Sequence, residues 1–151
     1  MRKRTVAFLM LTAVISAVPA FAGSVSAPLN VSVQVIARTI LTVDSQPVSI
    51  EITDADVARG YIDLPGAIAF RIRSNASSGY SLQFQPVAYP FARADVNWDN
   101  SLATIGADGS WLTRPYSQGT TIGTMNVRLT LAPGTRSGSY AWPIVFAADS
   151  L

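Results

Sequence analysis

Apolar and polar residues alternate with a period of two through much of the chain after residue 23. At odd positions stand Val25, Ala27, Leu29, Val31, Val33 and Val35; at even positions Ser24, Ser26, Pro28, Asn30, Ser32 and Gln34. Strict alternation puts every apolar side chain on one face of an extended strand. At about 3.3 Å per residue such a run reaches nearly 40 Å, longer than a usual strand. It either bends or works as two pieces in series. Apolar residues continue through Ile36, Ile40, Leu41 and Val43 with less regular spacing.

The same period recurs downstream. Val48, Ile50 and Ile52 alternate with Ser49, Glu51 and Thr53, and Tyr61, Ile62 and Leu64 make a short apolar patch. Phe70 and Ile72 alternate with Arg71 and Arg73, whose side chains are then expected on a polar outer face. Tyr80, Leu82 and Phe84 follow after the turn-like Asn75-Ala76-Ser77-Ser78-Gly79, so these two segments are expected to pair as a hairpin. A second hairpin is expected between Met125–Leu131 and the face made by Tyr140, Trp142, Ile144 and Phe146, joined by a turn opening at Pro133-Gly134. Pro143 cannot donate to a ladder, which argues for an edge strand there. Helical periodicity is absent apart from one turn over Thr53–Arg59, with Thr53 or Asp54 as its cap. Residues 86–123 are expected to be loops with one or two short strands. About seven short strands in some 130 residues predict an all-β fold, an immunoglobulin-like antiparallel β-sandwich.

The amino terminus changes the arithmetic. Arg2-Lys3-Arg4, the apolar run Val6–Val18 and the Ala20-Phe21-Ala22 end have the form of a secretory signal peptide over residues 1–22, cleaved between Ala22 and Gly23. The run is too short for a membrane span, which needs about 20 apolar residues. Without it the chain holds 8 Arg and 9 acidic residues, a formal charge of −1. No electrostatic case for nucleic acid or an anionic membrane survives. No other stretch reaches transmembrane length, so the mature chain is expected to be exported without a span. It has no Cys, so its stability must come from an ordinary core, without disulfides.

Candidate chemistry is sparse. With neither His nor Cys, thiol and imidazole catalysis and Cys/His zinc sites are excluded. No nucleophile elbow, phosphate-binding loop or dinucleotide fingerprint occurs. The chain is expected to be no enzyme and to need no cofactor. Asp95-Val96-Asn97-Trp98-Asp99 begins like a calcium loop, but Asn100 and Gly106 stand where Gly and Glu are required, so a solvated loop is the better reading. Trp98, Trp111, Tyr116, Tyr89 and Phe91 either cap the core or offer rings for stacking on sugars. Asn30-Val31-Ser32 and Asn75-Ala76-Ser77 match the glycosylation acceptor pattern, which is short enough to arise by chance.

Two segments carry a family resemblance: Leu29–Ile36 (LNVSVQVI) and Leu129–Tyr140 (LTLAPGTRSGSY). With the signal ahead of them, they resemble the ends of chaperone–usher pilus subunits. The likeness is to the Cys-free alternate class and to related spore-coat-U-like secreted β-sandwiches. The resemblance implies an incomplete sandwich whose missing strand comes first from a periplasmic chaperone and then, at an outer-membrane usher, from the next subunit. Residues 23–34 would be the donor-strand extension and 35–151 the pilin-like domain. The inserting side chains would be Val25, Ala27, Leu29, Val31 and Val33. The acceptor groove would be edged by Ile36 and Leu41 on the first strand, about Val35 to Val43, and by Tyr140, Trp142, Ile144 and Phe146 on the last. The product would be a self-assembled fimbria at the cell surface, serving adhesion. The sequence departs from the family pattern in having no Gly among the inserting positions, where Ala27 is the smallest. The alternative is a self-complete secreted binding module, with Trp98, Trp111 and Tyr116 as its sugar-contacting residues.

Overall fold

A computed structural model describes residues 31–151, and its compact unit is Val35–Leu151. The signal segment with Ala22 and Gly23, and the positions Val25, Ala27 and Leu29, lie outside the described residues. Ten strands and one short helix follow in chain order. They are β1 (Thr39–Ser45), β2 (Ser49–Ile52), α1 (Asp54–Arg59), β3 (Tyr61–Ser74), β4 (Tyr80–Phe84) and β5 (Phe91–Trp98). Then come β6 (Ser101–Ile105), β7 (Ser110–Arg114), β8 (Thr120–Leu131), β9 (Gly138–Ala141) and β10 (Phe146–Ser150). The fold is all-β, as the alternation predicts. A five-stranded sheet in the order β1-β3-β8-β5-β6 faces a three-stranded sheet β10-β4-β7, and β2-β9 form a separate pair. Every strand pairing is antiparallel.

The core lies between the sheets and is filled by the inward set of each alternation. Ile68, Phe70 and Ile72 of β3, Met125, Val127 and Leu129 of β8 and Leu82 of β4 are buried. An aromatic chain crosses it. Phe70 meets Trp98 edge-on at 4.9 Å and Phe146 of the opposite sheet at 6.1 Å, and Phe146 stacks on Phe84 at 5.5 Å. Such edge-to-face and offset contacts add to the area that the rings bury.

The one expected helical turn is present, with Thr53 as its cap. Its hydroxyl accepts from the Asp56 N–H, and the Asp56 carboxylate accepts from the Thr53 N–H, a reciprocal capping box. Gly60 closes the helix at φ 79°, donating to the Asp56 and Val57 carbonyls.

Both expected hairpins are overturned. β3 pairs with β1 and β8, whereas β4 pairs with β10 and β7. Residues 75–79 therefore carry the chain from one sheet to the other. The Ser74 hydroxyl accepts from the Ala76 N–H, and the buried Ala76 anchors the arch. The segment after β8 likewise changes layer: β9 pairs with β2 and β10 with β4. The expected last strand is really two, and Pro143 sits in the break between them. Trp142 N–H bonds to Val48, and the Val145 carbonyl accepts from Gln85. A residue without an N–H fits a place where the chain leaves one ladder for another.

Three further readings change. The first strand begins at Thr39, not near Val35. The apolar patch at Tyr61 and the segment at Phe70 are one 14-residue strand interrupted by a bulge between Leu64 and Ile68. Residues 86–123 contain three complete strands and the start of β8, so Asp95–Trp98 is strand, with a tight turn at Asp99-Asn100. Their alternation is weak in the sequence because two of the buried residues, Ala94 and Ala103, are small, and the exposed neighbour Leu102 is itself apolar.

Candidate functional site

The two sheets meet along two sides, and the sides differ. On one, β6 and β7 are joined by a short turn bridged at Gly106 and Gly109; the inward residues Ala103 and Ile105 of β6 are buried, and Leu112 of β7, opposite Leu82, is half-buried. On the other, β1 and β10 are both edge strands, paired only with β3 and β4. The register defines their inward faces. Leu41 and Val43 stand opposite Ile72 and Phe70, and Phe146 and Ala148 stand opposite Phe84 and Leu82. Those four partners are buried, yet Leu41, Phe146 and Ala148 are only half-buried and Val43 is 37% exposed. Interior-facing apolar positions that stay accessible mark a seam in the sandwich wall.

The seam has direction. At one end the hydroxyls of Thr39 and Ser150 lie 3.0 Å apart, and Thr39 also meets Ser74 at 2.8 Å. At the other end Val43 is in register with Phe70, whose ring contacts Phe146. β1 and β10 thus run antiparallel along the seam. It is drawn together by hydroxyls at the Thr39 end and lined by apolar side chains towards the other. A sheet edge leaves N–H and C=O groups that an added strand can take up. Both flanks offer such an edge, and the partly accessible side chains of Leu41, Val43, Phe146 and Ala148 between them offer apolar contact.

The expected groove residues separate on this geometry. Leu41 and Phe146 face the seam. Ile36 precedes β1, is 79% exposed and contributes only its carbonyl, to the Asn75 amide. Ile144 is enclosed at 1% exposure and belongs to the closed core. Tyr140 lies on β9 opposite Ile50, its hydroxyl donating to the Arg136 carbonyl. Trp142 lies in the break before β10, and its buried indole N–H has no hydrogen-bond partner among the described residues. Thr39 and Val43, within the expected first-strand edge, and Ala148 and Ser150, beyond the expected last-strand residues, complete the seam. Their alternation is visible in the sequence, but Ala, Thr and Ser do not announce an inward position. Of the expected inserting residues, Val31 and Val33 are 72% and 80% exposed and lie in no strand.

The remaining candidates fall elsewhere. Trp98 is buried against Phe70 with the Arg114 guanidinium 4.4 Å above its ring, so it offers no face to a sugar. Phe91 is also buried, whereas Trp111, Tyr89 and Tyr116 are exposed. Five carboxylates are held by arginines: Asp44 by Arg71, Asp56 by Arg59, Asp63 by Arg128, Asp95 by Arg93 and Asp99 by Arg114. The two hydrogen bonds from Arg128 hold the Asp63 carboxyl below the usual carboxylate range. Among the described residues no three His, Cys, Asp or Glu side chains converge as a metal site would require, and no helix is long and apolar enough to cross a membrane.

No family model matches this chain, and neither curated proteins nor solved structures provide a match.

Proposed function

We propose that this protein is a structural subunit of an extracellular fibre that grows by strand addition. Residues 23–34 of one copy would fill the seam between β1 and β10 of the next. The observation that carries the reading is the asymmetry of the sandwich. Leu112 on the β6–β7 side is half-buried as Leu41, Phe146 and Ala148 are, but there a short turn joins the two edges, whereas β1 and β10 are unjoined edge strands and Val43 between them is 37% exposed. The alternating leading segment supplies what such a seam lacks, a ribbon with apolar side chains on one face. Each Val- or Leu-sized side chain inserted contributes roughly 1.5–3 kcal/mol before ordering costs, and main-chain hydrogen bonds to two edges add to it. Export through the signal, a periplasmic chaperone that covers the seam first, an outer-membrane usher, and display at the cell surface for adhesion follow from the same reading.

A specific contact favours a second reading. Thr39 and Ser150 already join β1 to β10 at one end, and a sandwich that closes itself there would be a self-complete secreted binding module. Deletion of residues 23–33 separates the two. The fibre reading expects a variant that folds and does not polymerise, and whose unfolding midpoint rises when a synthetic peptide of residues 23–34 is added. A variant that binds no such peptide, beside a full-length mature protein that stays monomeric, would replace it with the self-complete module.

A further inference from the structure

The outer face of the five-stranded sheet, away from the seam, holds a cleft of about 670 Å³. Two cross-strand rows form its floor. Asp63, Arg128, Asp95 and Thr104 stand side by side on β3, β8, β5 and β6, and Asn126, Asn97 and Leu102 on β8, β5 and β6. The β3 bulge supplies a wall. Three residues, Pro65, Gly66 and Ala67, stand where β8 has only Asn126. The Gly66 N–H donates to Asn126 Oδ1 at 2.8 Å. Asn126 projects from the outer face, so the bulge rises over that face instead of turning inward. Bulges commonly re-aim chain and side chains beside binding sites.

The chemistry of the floor selects a ligand class. Arg128 is bound bidentately to Asp63, Arg93 pairs with Asp95, and Thr104 donates to Asp95. The two arginines and two aspartates cancel, which disfavours both an anion and a cation. Unused capacity remains: the outer lone pairs of both carboxylates, the Asn97 amide and the Asn126 Nδ2 donor. Donors and acceptors are thus interleaved within a few ångströms, as vicinal hydroxyl groups require. Leu64, Pro65 and Leu102, the last 60% exposed, add apolar surface suited to the C–H face of a ring. The volume lies within the range of small-molecule sites, about 300–1,000 Å³. We propose that this cleft binds a neutral saccharide of one or two rings, held by Asn97, Asn126 and the Asp63–Arg128–Asp95 row. This site shares no residue with the seam and does not depend on the fibre reading.

The test uses the full mature chain, isotope-labelled, titrated with maltose, lactose, cellobiose and chitobiose, and with a sulfated heparin disaccharide as the charged comparison. At least one neutral sugar should shift the amide resonances of Asn97, Asn126 and Arg128. Asn97→Leu should weaken that binding at least about fivefold, the loss expected on removing a hydrogen-bonding group, with an unchanged melting temperature. Leu102→Arg, on the exposed rim, serves as a second block should Asn97→Leu perturb folding. Trp111→Ala, on the other sheet, should leave binding intact, and so should deletion of residues 23–33. The inference is overturned if no neutral sugar shifts these resonances, if the sulfated disaccharide binds better, or if Trp111→Ala abolishes binding while Asn97→Leu and Leu102→Arg do not.

Discussion

Gly123 occupies an inward position of β8 where a methyl group has no room. A Cβ there would stand 2.5 Å from the Phe70 ring and 2.8 Å from the Trp98 indole nitrogen. Gly123→Ala should therefore destabilise the fold by about 1–3 kcal/mol, as overpacking does, read as a lower urea midpoint with unchanged slope. Nothing in the local sequence announces this, because both neighbours come from other strands. The cap of α1 is the opposite case. Thr53 and Asp56 lie three residues apart, and their reciprocal bonds are implied by that spacing. The bonds from Thr53, and then Arg59, hold the Asp56 carboxyl below its ordinary range. A depressed folded value means stability that is present above the unfolded pKa of about 3.9 and lost as pH falls through the folded one. Asp56→Asn should flatten the acid limb of the stability–pH curve below about pH 4, measured by denaturant titration at successive pH values, and leave the neutral-to-alkaline limb unaltered in shape.

Outside residues 86–123, strand existence followed from alternation, whereas strand pairing did not. The segments around residues 75–79 have the apolar spacing of a hairpin, yet β3 and β4 lie in different sheets. Period two states which side chains share a face and is silent on whether the chain folds back within a layer or arches to the next. The true tight hairpin, β5–β6, turns on Asp99 and Asn100 at φ 48° and 59°. Left-handed backbone at both central residues matches the twist of the strands and restricts what can stand there. Asn100→Val should cost about 1–2 kcal/mol, the penalty of a left-handed β-branched residue, whereas Asn100→Gly should be close to neutral. Thermal melts of the two variants compare them directly.

Across the molecule, the cost of deleting a side chain should map the seam. Leu41 and Ile72 face each other on one rung of the β1–β3 ladder, but only Ile72 is fully enclosed. Ile72→Ala should cost about 2–5 kcal/mol, the range for an enclosed aliphatic side chain. Leu41→Ala should cost only about 1 kcal/mol in the isolated subunit, since part of its surface is already in water. Adding a peptide of residues 23–34 should raise the cost of the Leu41 deletion and leave that of Ile72 unchanged. Urea titrations with and without the peptide measure both. Equal costs throughout would mean that the β1–β10 side is sealed.

The residue order alone settled that the chain is all-β, where most of its inward faces lie, and that a single capped turn of helix interrupts them. These depend on interactions within a few residues, and period and capping chemistry record them directly. Which strands became neighbours, where Pro143 divides the last of them, and which inward faces were left uncovered are long-range outcomes. They were decided by how two sheets close around one aromatic core. The burial of Ile144 and the exposure of Val43 show why: similar aliphatic side chains in alternating segments had opposite fates, because one fell between the layers and the other at their unjoined margin.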